Sequence, residues 1–221
     1  MGTETFLIQE LHGSTARSYL ERMIDNKVEA MEKAREYAID YWDGDRRYGY
    51  GGYKYIEGRW KPFAEKLIQR YKLTNNSSLL DLGCGKGYLL YEIQKILPGI
   101  ELYGVDVSEY ALENIHPQLE MKGDLKSAAD PLPFTENQFD LVISVNTLHN
   151  LKLQDFEKAI ANMMKYGKNQ YLVVEGFRNS QEQFNLECWA LTANLLLSRE
   201  DWVWLFRQLN YDGDFEFIYF E

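Results

Sequence analysis

The residues with the clearest chemical meaning lie in a glycine-rich segment, residues 79–87, which reads Leu-Leu-Asp-Leu-Gly-Cys-Gly-Lys-Gly. Glycines at Gly83, Gly85 and Gly87 allow the backbone to approach a ligand closely and to turn sharply into a helix. A helix N-terminus attracts anions, but the Asp81 carboxylate would repel a pyrophosphate and attract an ammonium or sulfonium group. The segment therefore predicts a site for a cationic or zwitterionic nucleoside.

Two more acidic residues follow later apolar runs. Asp106 closes the run Leu-Tyr-Gly-Val-Asp, and Asp124 follows Gly123. An acid at the end of a second strand can accept hydrogen bonds from both ribose hydroxyls, and one after a third strand can accept from an adenine amino group. Each acid alone is as consistent with a helix N-cap as with a ligand contact. Because the three acids Asp81, Asp106 and Asp124 follow three successive predicted strands, together they predict a nucleoside site.

Short apolar runs alternate with amphipathic segments from residue 78 onward, and these elements must position the acids. Strands are predicted at 78–82, 100–105, 118–121, 139–145 and 170–175, and helices at 86–96, 108–115 and 153–165. This alternation predicts an α/β fold with a mostly parallel central sheet and helices on both faces. Ligands of such sheets bind beyond the carboxyl ends of the strands.

The segments that flank the sheet predict a helical extension before it and an unusual edge after it. Residues 14–42 predict two helices that break near residue 25, and residues 60–72 predict a third. Residues 181–197 and 198–209 predict helices, and 214–220 predict one strand. We expect 1–72 to hold the N-terminal helices and a lid segment, and 73–221 to form the core, in one structural unit.

Composition narrows the class of partner. The chain has 221 residues and a net charge of -10, without a Lys/Arg block, which disfavours a nucleic-acid partner because such partners need basic surface. The two cysteines, Cys84 and Cys188, are far apart and predict neither a disulfide framework nor a metal pair. We see no apolar run long enough to cross a membrane and no secretory signal, so we expect a cytoplasmic protein.

Residues 78–148 resemble the class I S-adenosylmethionine-dependent methyltransferases, in particular small bacterial ones that act on small molecules. The matching pieces, in order, are Leu80 to Gly87, Gly104 to Ser108, Gly123-Asp124, Pro131 to Phe134 and Phe139 to Ser144. The resemblance implies a Rossmann-like fold with S-adenosyl-L-methionine as cofactor and S-adenosyl-L-homocysteine as product.

The resemblance also assigns cofactor-binding roles to particular positions. It implies that Asp81 and its loop (Gly83, Cys84, Gly85 and Gly87) hold the methionine end and that Asp106 holds the ribose. It implies that the adenine meets Asp124 and Leu125, with apolar help from Val107. Asn146, after the fourth strand, lies where the family contacts the methionine ammonium. A dinucleotide is the competing ligand, but its fingerprint requires glycine at position 88, which is Tyr88.

Methyl transfer is an in-line displacement, and an oxygen or nitrogen acceptor must also lose a proton. His149 follows the fourth strand in Asn-Thr-Leu-His-Asn and is the candidate base, although it is also consistent with a residue packed under the next helix. Glu175 and Arg178 follow the fifth strand and are candidate substrate residues. A surface ion pair is the alternative for Arg178.

A Tyr- and Gly-rich segment, residues 41–55, is the candidate lid over cofactor and acceptor, with Tyr48, Tyr50 and Tyr53 as substrate contacts. The alternative is a loop that packs its rings on the core. The segment resembles that of small bacterial methyltransferases associated with unusual sugars and surface glycans.

The chain lacks the Asn-Pro-Pro-Tyr sequence of the methylases that act on planar nitrogens and the Pro-Cys nucleophile of the pyrimidine methylases. The Asp/Asp-Asn arrangement of the metal-dependent catechol type is not apparent either, so no metal is expected. These absences favour methylation of a small polar metabolite, such as a sugar derivative, at O or N.

Three alternatives stay open at this stage. One is a non-catalytic subunit or regulator that binds S-adenosylmethionine, and a weaker one is a nucleic-acid methyltransferase. A homodimer is also open. Because only residues 214–220 form a clear strand where the family has a closing antiparallel pair, the sheet is expected to be short by one strand at its C-terminal edge.

Overall fold

A parallel sheet of seven strands forms the centre of the computed structural model, which describes residues 2–12, 17–50 and 54–221. The strands are β1 Ser78–Leu82, β2 Glu101–Asp106, β3 Lys122–Leu125, β4 Leu141–Val145, β5 Gln170–Phe177, β6 Leu197–Ser198 and β7 Asp214–Ile218. Their order is β3-β2-β1-β4-β5-β6, and β7 also pairs with β5. Every pairing within the described residues is parallel, which confirms the predicted α/β architecture.

Alternation along the central strands explains how the core is divided between two faces of the sheet. Leu79 of β1 and Val173 of β5 belong to one buried cluster, whereas Leu80 and Val174 belong to the other. Successive side chains of a strand point to opposite faces. Asp81 and Glu175 therefore share the face of Leu79 and Val173, and each lies two residues after that apolar residue on its strand.

Helices cover both faces and differ from the sequence prediction at several ends. They are α1 Gln9–His12, α2 Tyr19–Ile24, α3 Lys27–Ala34, α4 Ile39–Trp42, α5 Lys61–Tyr71, α6 Tyr88–Ile96, α7 Glu109–Glu113, α8 Leu153–Tyr166, α9 Ser180–Trp189 and α10 Arg199–Gln208, with a 3₁₀ turn at Leu148–Asn150. The region before residue 43 contains a further break, because Tyr37 adopts a left-handed conformation with φ 49°. The third strand lies at 122–125 rather than 118–121, since its register with β2 places Lys122 beside Tyr103.

The predicted helix over 181–197 ends early, at Trp189. The backbone turns extended at Ala190, with φ −61° and ψ 132°. The Lys27 ammonium donates to the carbonyl of Cys188 at 2.7 Å and also to that of Ala190. These bonds satisfy carbonyls that the end of a helix leaves without partners. The residues after Trp189 are thereby free to run along the ligand cavity instead of continuing the helix.

The C-terminal edge corrects the expectation of a missing strand. The two-residue β6 pairs with Gly176 and Phe177 at the end of β5, and β7 pairs with the earlier part of β5. Because α10 returns the chain between β6 and β7, the last strand runs parallel to β5 rather than forming an antiparallel hairpin.

The N-terminal segment covers the exposed edge of β7. The Thr5 amide donates to the Phe215 carbonyl at 2.8 Å, and the Phe215 amide donates to the Thr3 carbonyl at 3.1 Å. The buried Glu216 carboxylate accepts from the amides of Leu7 and Ile8. This pairing protects the edge strand from pairing with another chain. The division of the chain at residue 72 stays a prediction.

Candidate active site

A cavity of about 690 Å³ opens at the carboxyl ends of the central strands. The predicted site residues on its wall are Asp81, Gly83, Cys84, Gly85, Asp106, Val107, Asn146, His149, Tyr50 and Glu175. Other predicted residues, which are Gly87, Asp124, Leu125, Tyr48 and Arg178, do not line it. Tyr53 lies outside the described residues. The cavity thus brings together residues from the glycine loop, from three further strand ends and from the N-terminal segment.

The glycine loop is held against the ends of β2 and β4. The amides of Gly83 and Cys84 both donate to the Val105 carbonyl, at 2.7 and 3.2 Å. Gly83 has φ 91°, and a Cβ atom there would lie 2.2 Å from Thr147 side-chain atoms. Glycine is therefore required at position 83 both by the backbone conformation and by the close approach of the loop after β4.

The last glycine of the loop, Gly87, does not line the cavity but allows close packing of the backbone. It is the N-cap of α6 with φ 71°, and a Cβ atom there would lie 2.3 Å from Leu119. Cys84 is also buried, and its Sγ atom lies close to the backbone of Gly104. Burial and the nearby carboxylates of Asp106 and Asp81 raise the pKa of the Cys84 thiol, so the thiol stays protonated.

The Asp81 carboxyl group is buried at the cavity wall, and its Oδ1 atom has no hydrogen-bond partner. Burial and the neighbouring Asp106 raise its pKa to about 8. A buried polar atom without a partner is costly, so the site is completed by a ligand that donates to it. The ammonium group of the methionine end of S-adenosylmethionine fits this requirement.

Asp106 is oriented by the backbone. Its Oδ2 atom accepts from the Gly85 amide and its Oδ1 atom from the Ser108 amide, both at 2.8 Å. Each carboxylate oxygen keeps a further acceptor position. Since Asp106 lies on the cavity wall, those positions fit a pair of ribose hydroxyls. Val107, half exposed, follows it on the same wall.

The predicted adenine contacts lie beside the cavity rather than on it. In the register of β2 and β3, Val105 faces Asp124 and Asp106 faces Leu125. The next three residues, Lys126, Ser127 and Ala128, line the wall, and the Lys126 amide donates to the Asp106 carbonyl at 3.0 Å. The roles of Asp124 and Leu125 toward adenine therefore stay predictions.

The segment after β4 presents Asn146 and His149 to the cavity. Asn146 has φ 55°, and its buried Oδ1 atom has no hydrogen-bond partner. His149 lies in the 3₁₀ turn, and its carbonyl accepts the amides of Asn194 and Leu195. These backbone bonds hold the imidazole at the cavity wall.

His149 and Glu175 form a buried pair, with His149 Nε2 3.5 Å from Glu175 Oε2. Burial lowers the pKa of His149 to about 3. Burial raises the pKa of Glu175 to about 7, and the charge of Arg17 opposes that rise only in part. At neutral pH the imidazole is therefore neutral and the carboxyl group is partly ionised, so Glu175 is the stronger proton acceptor of the two.

The N-terminal segment closes the cavity over the glycine loop. Trp42 donates from Nε1 to Ser108 Oγ at 2.8 Å. The Asp43 carboxylate accepts from Lys86 at 2.5 Å and from the Tyr110 hydroxyl at 2.8 Å. These contacts hold the segment in place over the loop. The predicted lid covered residues 41–55, and from here on we use the name lid for residues 37–50.

Two of the predicted lid tyrosines point in different directions. The Tyr50 hydroxyl accepts the Leu191 amide at 2.8 Å and lies on the cavity wall. The Tyr48 ring instead lies under the Lys33 ammonium, 4.4 Å from it. Arg178 also faces away from the cavity, because Glu182 and Glu221 both bind its guanidinium. The substrate roles of Tyr48, Tyr53 and Arg178 stay predictions.

Several wall residues were not expected from the sequence. They include Arg17, Tyr37, Arg46, Thr147, Trp189, Thr192 and Phe220. Trp189 and Phe220 come from the C-terminal third of the chain, where the sequence carries no ligand-binding pattern. The early end of α9 at Trp189 brings Thr192 to the cavity, and no periodicity in the sequence marks that end.

Two absences concern the described part of the chain only. Within residues 2–12, 17–50 and 54–221, no group of three or more His, Cys, Asp or Glu side chains is arranged to hold a metal ion. No helix among the same residues is long and apolar enough to cross a membrane.

Comparisons with known proteins agree with this geometry. Residues 79–170 match the family described as "Methyltransferase domain". The mouse mitochondrial arginine-hydroxylase NDUFAF5 is 29% identical over 109 residues, which are 49% of this chain and 31% of that protein. The uncharacterized methyltransferase YdaC of Bacillus subtilis is 31% identical over 81 residues, 36% of this chain and 45% of that protein. The chain thus spans less than half the length of either relative.

A solved structure extends the likeness in fold to most of the chain. The plantazolicin methyltransferase BpumL, crystallised with a monoazolic desmethylPZN analog and SAH, superposes with a TM-score of 0.57 at 19% identity, over 85% of this chain and 78% of that one. Three findings agree with the resemblance seen in the sequence: the position of Asp81 and Asp106 at neighbouring strand ends, the parallel sheet and the matched domain. Residues 79–170 of the chain therefore match a methyltransferase domain, and most of the chain has the fold of a solved methyltransferase.

Proposed function

We propose that the protein transfers a methyl group from S-adenosylmethionine to a nitrogen or oxygen atom of a small polar molecule. The observation that carries this proposal is the unpartnered, buried Asp81 carboxyl group beside the backbone-oriented Asp106, in a cavity that continues to His149 and Glu175. The cofactor supplies a methyl group that its sulfonium already activates.

The chain's own residues would bind and orient the reactants. Asp81 and the Asn146 amide oxygen would accept from the cofactor ammonium, and Asp106 would accept from the ribose hydroxyls. The lid would exclude water, since Trp42 and Tyr50 both lie on the wall of the cavity. Holding an acceptor in line with an activated donor supplies much of the rate enhancement in such reactions.

The part of the cavity around His149 and Glu175 favours the hypothesis of an enzyme over that of a non-catalytic binding protein. His149 and Glu175 are both buried there, and each has a polar atom without a partner. His149 remains a candidate catalytic residue. Because burial makes its imidazole a weak base, positioning of the acceptor suits it better than carrying the proton.

Isothermal titration calorimetry with S-adenosylmethionine and S-adenosylhomocysteine tests the cofactor assignment. We expect both to bind the wild-type protein and Asp106→Ala to weaken binding at least about tenfold, since two charge-assisted hydrogen bonds are lost. Asp140→Ala is the matched control, because Asp140 accepts the Ser78 amide at 2.9 Å and lies outside the cavity. Failure of the wild-type protein to bind either compound would refute the proposal.

Transfer itself is tested with methyl-labelled S-adenosylmethionine and a metabolite extract. We expect label in the small-molecule fraction and not in the nucleic-acid or protein fractions. Cofactor binding without label in any fraction would instead favour the non-catalytic alternative.

A further inference from the structure

One group of residues on the cavity wall lies outside the glycine loop and the predicted ribose site, and we call it the acceptor pocket (Tyr50, His149, Glu175, Trp189, Thr192 and Phe220). Glu175 is 8% exposed and His149 is 3% exposed. Glu175 Oε2 and His149 Nδ1 have no hydrogen-bond partner within the protein. Polar atoms buried in this way belong to a surface that a ligand completes.

The unpartnered atoms of this pocket are acceptors. A carboxylate oxygen only accepts hydrogen bonds. A neutral imidazole has one N–H group. We assign its proton to Nε2, which lies 3.5 Å from Glu175 Oε2 without a hydrogen bond between them, and Nδ1 is then an acceptor. The ligand of this pocket must therefore bring hydrogen-bond donors.

The fold fixes the position of Glu175 through its backbone. Trp202 donates from Nε1 to the Glu175 backbone carbonyl at 2.9 Å. On the neighbouring strand β7, the residue beside Glu175 is the apolar Ile218. The Glu175 carboxyl group is buried, one of its oxygen atoms has no hydrogen-bond partner, and its pKa is raised by burial, which is the pattern of a functional residue.

Aromatic rings form the rest of the pocket. The Tyr50 and Trp189 ring centroids lie 6.3 Å apart with their planes tilted by 31°. Phe220 lies on the same wall. Aromatic faces attract cations, and the attraction strengthens where water is excluded. Arginine guanidinium groups already lie over these rings, which shows that their faces attract cations. The ionised Glu175 carboxylate beside them favours a positively charged donor group over a neutral hydroxyl.

The charged and titratable groups around Glu175 come from several elements. Arg46 and Tyr37 also line the cavity, and the Arg22 guanidinium lies over the Trp189 and Tyr50 rings, at 4.4 and 5.3 Å. His149 lies on the 3₁₀ turn and Tyr50 on the lid, where the carboxylate helps to raise the pKa of the Tyr50 hydroxyl. Arg17 precedes α2, and its guanidinium lies over the rings of Phe220 and Trp189, at 5.1 and 5.6 Å. On α9, Glu182 is bound to Arg178 instead.

We propose that the acceptor pocket binds an amine, held as an ammonium ion by the Glu175 carboxylate and His149 Nδ1. This proposal rests on the proposed function and names its substrate class. The ammonium then gives one proton to Glu175, which yields a neutral amine and a carboxylic acid. The amine nitrogen thereby gains the lone pair that it needs to accept a methyl group.

Of His149 and Glu175, Glu175 is the better proton acceptor. Burial destabilises the ionised Glu175 carboxylate and raises its pKa to about 7. A proton that moves to Glu175 neutralises this buried charge. Transfer to His149 would instead create a buried imidazolium, which the same burial opposes. The two residues thus have different roles: Glu175 takes the proton, and His149 helps to hold the nitrogen.

Three probes with one ring and different head groups test the substrate class: benzylamine, benzyl alcohol and benzoate. Binding is measured by calorimetry on the wild-type protein saturated with S-adenosylhomocysteine. We expect benzylamine to bind at least about tenfold more tightly than benzyl alcohol, and benzoate not to bind. Equal or tighter binding of the alcohol, or no binding of benzylamine at millimolar concentration, would overturn the proposal.

The pH dependence identifies the residue responsible. Because the ammonium binds the ionised carboxylate, benzylamine affinity should rise about tenfold between pH 6 and pH 8. Glu175→Gln should abolish this rise and the preference for the amine. Glu182→Gln is the control, since its carboxyl group is also buried but lies outside the cavity. If the benzylamine affinity of Glu175→Gln still rose between pH 6 and pH 8, Glu175 would not be the carboxylate that binds the ammonium.

The outcomes separate this inference from the proposed function. Loss of S-adenosylhomocysteine binding in the wild-type protein would refute the methyltransferase assignment. Normal binding of S-adenosylhomocysteine without a preference for benzylamine would refute only the amine. The comparison of head groups uses the unaltered protein, so it decides the question even if Glu175→Gln does not fold.

Discussion

The indole ring of Trp42 lies directly on Gly85, so that a Cβ atom at Gly85 would be 2.7 Å from Trp42 Cη2. The lid and the cofactor loop are therefore in contact at a point where no side chain other than hydrogen fits. The same loop residue donates its amide to Asp106. One glycine thus links the lid to the residue assigned to the ribose.

Gly85→Ala should separate the lid from the loop. The added methyl group must displace Trp42, so we expect the affinity for S-adenosylhomocysteine, measured by calorimetry, to fall by more than about tenfold. Gly58→Ala is the matched control, because Gly58 also has a positive φ, 72°, but nothing lies within 4 Å of an added Cβ. Both variants should lose about 1–2 kcal/mol of stability from backbone strain. Equal affinities in the two variants would contradict the role of the Trp42 contact.

Asp43→Asn should loosen the lid through Lys86. The Lys86 side chain is 5% exposed and pairs with Asp43, so the variant leaves a buried ammonium without its anionic partner. We expect dissociation of S-adenosylhomocysteine to become about tenfold faster, as measured by stopped flow. Asp45→Asn is the control, since Asp45 only accepts the Arg47 amide at an exposed site. Unchanged dissociation in Asp43→Asn would show that the ion pair does not hold the lid.

Asp81→Asn should stabilise the ligand-free protein while it weakens cofactor binding. The pKa of Asp81 is raised from 3.8 to about 8, so between these pH values the folded protein holds a proton that the unfolded chain has released. The free energy of unfolding of the wild type therefore falls as pH rises through this window. We expect the advantage of Asp81→Asn in urea unfolding to grow from pH 4 to pH 8. An advantage that is independent of pH would contradict the assigned pKa.

Cofactor binding should release a proton from Asp81. With a pKa of about 8 the carboxyl group is about nine-tenths protonated at pH 7, and an ammonium bound beside it favours the ionised form. Calorimetry in phosphate and Tris buffers should report close to one proton released per S-adenosylhomocysteine at pH 7. Adenosine, which lacks the ammonium group, should release none. Equal release by both ligands would place the titrating group elsewhere.

The sequence placed Asp81 and Asp106 at the ends of neighbouring strands correctly, because strand ends of this kind follow from local patterns. Asp81 follows Leu79 by two residues on the same strand, so the two side chains lie on the same face of the sheet. The glycines then form a turn shortly after Asp81. The end of β2 at Asp106 follows from the same kind of apolar run. These features depend on neighbouring residues, so local periodicity is sufficient to find them.

The acceptor side could not be predicted in the same way. Tyr50, Trp189 and Phe220 come from distant parts of the chain and meet only when the lid, α9 and the last strand pack together. Tyr48 and Tyr50 are two residues apart in an irregular segment, where no period tells which of them faces the cavity.

Local patterns in the amino-acid sequence were sufficient to indicate a methyltransferase domain, the parallel strands and the order of the acids Asp81 and Asp106 along the sheet. The packing of the whole chain was needed to show that β7 runs parallel to β5, that the N-terminal segment covers its edge, and that His149 and Glu175 meet as a buried pair. An element and its buried face follow from short-range patterns of apolar residues. Contacts between distant segments, and the pKa shifts that burial causes, depend on how the whole chain packs.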